Sequence, residues 1–151
     1  MTTARSGTGA FTLIELVVVL AILAVAAALV APAVGRGTEA LTLRTEAGRV
    51  AALLRQARQH AVSHHRATQV TLDRERNAVA LTAGDPDRPL REIVMPAGIR
   101  LSVGSGGEAL RFSSRGLTRD ARWVLEGPGG RRLAIRVESV SGRVTVTPEA
   151  S

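Results

Sequence analysis

From Leu13 to Val34 the chain is hydrophobic except for one charged residue, Glu15. Leu16–Val34 carries no charge at all. As a helix rising 1.5 Å per residue, its 19 residues span roughly 28 Å, about one hydrocarbon core. From Thr38 the pattern stays helical but turns amphipathic. Leu43, Ala47, Val50, Leu54, Ala57 and Ala61 recur at alternating steps of four and three and draw one apolar stripe. Arg44, Glu46, Arg49, Arg55 and Arg58 lie largely off that stripe. Pro32 predicts a kink, Gly35 and Gly37 a soft joint, and Thr38 is a candidate N-cap for the amphipathic half.

After Arg66 the period changes to two. Thr68–Leu72 and Ala78–Thr82 read as strands joined by a turn at Asp73–Asn77. Gly84–Pro89 is a loop by its Gly and Pro content. Short strands follow around Glu92–Val94, Ile99–Val103, Leu110–Phe112, Arg122–Leu125, Arg132–Val137 and Arg143–Thr147. Turns are expected at Gly127–Gly130 and Ser141–Gly142, and Gly104–Gly107 reads as a hairpin loop. One helix followed by a run of antiparallel strands is an α+β arrangement: a long N-terminal helix packed on a C-terminal antiparallel β-sheet. The expected boundaries are a leader over 1–10, a membrane helix over 11–34 and a globular domain over 35–151. Within the last, the amphipathic helix covers about 38–66 and the sheet about 67–148.

Composition narrows the chemistry. The chain has 151 residues, so about 115 remain for the globular part, enough for one modest core. Aromatic residues are limited to Phe11, Phe112 and Trp123, so Val, Leu, Ile and Ala must fill that core. With no cysteine, disulfides, thiolate metal sites and cysteine nucleophiles are excluded. His60 and His64 stand four apart, near His65, but no acid completes a metal set, and histidine suits a helix C-terminus anyway. Gly104–Gly107 lacks the Gly-Lys-Ser/Thr ending of a phosphate loop and opens no helix. Ser, His and Asp form no recognisable triad. The residues therefore point to no catalytic site, cofactor, metal or small-molecule substrate.

The net charge of +7 comes from arginine alone, since lysine is absent. Arg115, Arg119, Arg122, Arg131, Arg132, Arg136 and Arg143 concentrate it in the C-terminal third. A solvated strand face accounts for them. The sharper alternative is a DNA-binding surface of Arg131, Arg132, Arg136 and Arg143, whose phosphate contacts would be salt-sensitive. Trp123 is the one aromatic candidate for base stacking in that alternative.

An acid at the head of an apolar helix needs a reason, because inserting one into a bilayer costs about 2.5–3.5 kcal/mol. A secretory signal cut near Ala31-Pro32-Ala33 is the competing reading of this segment. Glu15, the length of the run and Pro32 inside the cleavage site all oppose it. A positive partner for Glu15 would arise if the chain were cut just before Phe11, freeing an α-amino group.

Gly9-Ala10-Phe11-Thr12-Leu13-Ile14-Glu15-Leu16 closely resembles the class III signal of type IV pilins and type II secretion pseudopilins. The resemblance implies cleavage between Ala10 and Phe11 by a prepilin peptidase and N-methylation of Phe11. Counted from Phe11, Glu15 is the fifth mature residue, the position that pairs with a neighbour's α-amine during filament assembly. Pro32 is the twenty-second, where many pilins kink. Ala10 replaces the Gly that the family prefers before the cut. As the nearest small substitute it predicts slower or unaltered processing.

A second resemblance lies in Ala57-Arg58-Gln59-His60-Ala61, Phe112-Ser113-Ser114-Arg115-Gly116 and Gly142-Arg143. These are similar to the Ala-Arg-x-x-Ala, Phe-x-x-x-Gly and Gly-Arg motifs of the GspH/FimT branch of minor pilins. What this implies is a pilin-like minor pseudopilin of a type II secretion system, at or near the pseudopilus tip. It would be held in the inner membrane by one span, with its C-terminal domain in the periplasm and other pseudopilins as partners. The alternative within the branch is a FimT-like pilin that binds DNA for uptake or primes pilus assembly.

Overall fold

The computed structural model describes residues 12–149, and over 29–37 the backbone only. The chain divides after Thr38 into two compact units, and one helix, α1 (Leu13–Ser63), contributes to both. The leader, Ala10 and Phe11 lie outside the described residues, as does the side chain of Pro32. Thr38 lies inside α1 and so does not start a helix. The cap sits at Thr12 instead.

In the first unit the large apolar side chains from Leu13 to Val25 expose between 44% and 82% of their surface. A helix apolar on every side must be covered by something beyond its own unit. Among the described residues no helix is long and apolar enough to cross a membrane. The uncharged run continues into 29–37, whose side chains are not described.

The second unit holds the rest of α1 and eight strands, one for each segment read from alternation: β1 (Thr68–Asp73), β2 (Ala78–Thr82), β3 (Arg91–Val94), β4 (Arg100–Ser105), β5 (Ala109–Phe112), β6 (Ala121–Glu126), β7 (Arg132–Val137) and β8 (Val144–Glu149). They form two four-stranded antiparallel sheets, ordered β3-β2-β1-β5 and β4-β6-β7-β8, where one sheet was expected. Local alternation places residues on faces but does not choose partners. β4 pairs with β6 rather than with its chain neighbours, and that long-range choice splits the sheet.

Two local devices make the split. Asn77, at φ 49°, closes the β1–β2 turn, and its amide donates to Ile99 O at 2.6 Å and accepts from Leu101 N at 3.0 Å. It thereby clamps the entry of β4 onto the first sheet. Of the expected hairpin loop Gly104–Gly107, the first two residues end β4, and Gly106–Glu108 then crosses to β5, a connection between sheets. A Cβ on Gly106 would stand 2.6 Å from Asp120 O, and Gly106 and Gly107 both take φ 81°. Only glycine follows that path without strain.

All six stripe residues of α1, Leu43 to Ala61, are buried and share one core with the inner faces of both sheets. Val70, Leu72, Leu81, Leu110 and Phe112 contribute from the first sheet, and Leu101, Trp123, Leu125 and Ile135 from the second. Thr68 Oγ1 donates to Ala57 O at 2.9 Å and ties the start of β1 to the helix. Glu46 is buried at the stripe margin, and Arg49 Nη1 contacts both its carboxylate oxygens at 2.9 Å. Pro148 is tolerated because β8 is an edge strand.

Candidate functional site

Thr12-Leu13-Ile14-Glu15 has the Thr-x-x-Glu form of a capping box, a signal that the sequence reading passed over in favour of Thr38. Glu15 N donates to Thr12 Oγ1 at 3.2 Å and Leu16 N to Thr12 O at 3.2 Å, which fixes the first turn of α1. The Glu15 carboxylate has no partner among the described residues. A lone acid thus heads a helix whose apolar side chains are uncovered. That combination suits a subunit that completes its contacts in an assembly.

The four arginines named for DNA are spread along β7 and the turn that follows it. Arg131 and Arg132 enter β7 beside a groove that also holds Arg44 and Glu149, and Arg132 pairs with Glu126 at 3.3 Å. Arg136 lies exposed near the end of β7, opposite Arg122, whose guanidinium pairs with Glu149. Arg143 belongs to the turn beyond the far end of β7, opposite Glu138 and about 20 Å from Arg132 along the strand direction. Trp123 is 1% exposed, its indole Nε1 donating to Gly107 O at 3.1 Å, so it offers no face for stacking. His60 and His64 stack at a centroid distance of 4.0 Å.

What the fold does bring together are the three short motifs. Arg58, on α1, donates through Nε to Gly116 O at 3.3 Å. A Cβ on Gly116 would lie 3.1 Å from Arg58 Nε, and one on Gly142 only 2.5 Å from the same atom. The guanidinium stem of Arg58 therefore occupies the space that side chains at 116 and 142 would need. Both glycines also take positive φ, 76° and 61°. One arginine on the helix and two glycines, one from the β5–β6 connection and one from the β7–β8 turn, form a single joint that holds the two sheets' ends against α1. Around it opens a groove of about 580 Å³, lined by Arg55, Arg58, Arg115 and Arg143 with Val62 and Val144.

A helix with an uncovered apolar head, carrying two antiparallel sheets on its later turns, is the α+β fold of pilin-like subunits. Residues 46–142 match the family described as type II transport protein GspH, and residues 5–31 match the prokaryotic N-terminal methylation motif. The chain belongs to the GspH family. Among solved structures it is similar to the type IV minor pilin FimU of Pseudomonas aeruginosa, at 26% identity and a TM-score of 0.58 over 74% of this chain and 92% of that one. It also resembles the minor pseudopilin EpsH from the type 2 secretion system of Vibrio cholerae, at 12% identity and a TM-score of 0.59, over 72% of this chain and 98% of that one. The second likeness is one of fold. No curated protein matches the chain.

Proposed function

We propose that this chain is a minor pseudopilin of a type II secretion system, a structural subunit at or near the tip of a short periplasmic filament. Prepilin peptidase cuts after Ala10 and methylates Phe11. The Leu16–Val34 helix holds the precursor in the inner membrane and later packs in the filament core. Glu15 sets register by pairing with the α-amine of a neighbour's Phe11, since an unpaired charge in that low-dielectric setting is costly. The 35–151 domain faces the periplasm and contacts other pseudopilins. Membership of the GspH family carries this reading. The methylation motif and the uncovered apolar helix with its single acid support it. The role is structural, and beyond that processing it calls for no chemistry by the chain's own residues.

The test is complementation in the host. Removing the chain should abolish appearance of type II substrates outside the cell, and restoring it should return them. Secretion unaffected by its removal would contradict the proposal. The second reading, a type IV pilus subunit that captures DNA, draws on the likeness to FimU. The burial of Trp123 and the separation of Arg132 from Arg143 weigh against it. A gel shift across a salt series decides it, because phosphate binding must weaken steeply as salt rises.

A further inference from the structure

Ten of the second unit's arginines fall into two groups. Arg49, Arg74, Arg76, Arg88, Arg122 and Arg132 each face a carboxylate of the chain itself. Arg55, Arg58, Arg115 and Arg143 all line the groove at the Arg58–Gly116–Gly142 joint, and among the described residues no acid lines it. Glu138, in the β7–β8 turn, accepts from Ser141 Oγ at 2.7 Å and is not part of the lining. Among the described residues the guanidinium of Arg58 bonds only a carbonyl, and those of Arg55, Arg115 and Arg143 bond nothing. Gathering four like charges is unfavourable unless something negative enters between them.

We propose that this groove binds a carboxylate-bearing peptide segment of a neighbouring subunit. Planar guanidinium forks match carboxylates two bonds at a time, and several forks converging on one groove give both strength and direction. Val62 and Val144 supply an apolar floor for the segment's backbone and methylenes. The lining does not favour a single nucleic acid strand, which would find no aromatic face, since none lines the groove and Trp123 is buried. Arg58 plays a double part: its stem fills the space over Gly116 and Gly142, and its head points the groove's charge. Only the source of the segment, a subunit of the same filament, rests on the pseudopilin reading.

Two measurements test the proposal. The first titrates the full chain in detergent with end-capped hexaglutamate, and with a thymidylate hexamer as the nucleic-acid counterpart. Hexaglutamate should bind saturably, and Arg115→Glu with Arg143→Glu should weaken it about tenfold or more. Arg136→Glu, outside the groove, should change it less than about twofold. Each single reversal should act in the same direction, so the test does not hang on the folding of one variant. Absent binding, equal losses at Arg136, or binding of the thymidylate alone would overturn the proposal.

The second places a photo-crosslinking residue at Ser141 in the host. Capture of another subunit bearing a methylated mature N-terminus, lost on reversal of Arg115 and Arg143, is the expected result. No such capture by a processed, secretion-competent chain overturns the neighbour. A chain that is never processed removes the filament reading instead, and the peptide titration tells the two failures apart.

Discussion

Arg58, Gly116 and Gly142 show how a short motif acquires a physical reason. Gly142→Ala places a methyl against the Arg58 stem and forces a left-handed backbone on a residue with a Cβ. It should destabilise the second unit by about 1–2 kcal/mol or more, read as a lower urea midpoint. Arg58→Ala removes the obstacle, so the double variant should be less destabilised than the sum of the singles; strict additivity would refute the joint. The motifs stand in the sequence, but their meeting across about 58 and 26 positions of chain does not. In the first unit, Glu15→Val should leave processing and the sheets unaltered and remove the chain from assemblies. Sheared or cross-linked filament fractions would measure that, and normal incorporation would sink the register role.

At the scale of elements, the six stripe residues of α1 were legible, because a period near 3.6 is a local property, while Ala51, Leu53 and Glu46, buried beside them, were not. Leu54→Ala should cost about 3 kcal/mol by denaturant melt, whereas Leu41→Ala, at a position 66% exposed, should stay within about 0.5 kcal/mol. Similar losses at both positions would contradict the stripe. The strands were legible for the same reason. Capping was misread because the change from all-round apolar to amphipathic at Thr38 looks like a helix start. It marks instead a change in what covers one helix, which begins with the Thr12 cap. Asn77 carries information that only partner geometry reveals. Asn77→Ala loses both bonds to the β4 entry and should lower stability by about 1–3 kcal/mol.

For the whole molecule, the division into two sheets depends on β1–β5 and β4–β6 pairing, which no local pattern encodes. Charge behaves alike. The C-terminal arginines read as one basic region along the chain, yet folding sends Arg132 and Arg143 to opposite ends of β7 and joins Arg143 to Arg55 and Arg58 of the helix. Function was more legible than site. The segment from Ala10 to Leu16 falls within the match to the N-terminal methylation motif, a linear pattern whose recognition needs no tertiary contacts.

Everything in the filament account depends on that segment being cut and its new amine becoming available to a neighbour's Glu15. Intact-mass and N-terminal peptide analysis of the chain recovered from its host's membranes tests this most directly. The account predicts a chain beginning at Phe11 with one added methyl group. A chain beginning near Val34, or one retaining Ala10 throughout, would contradict it.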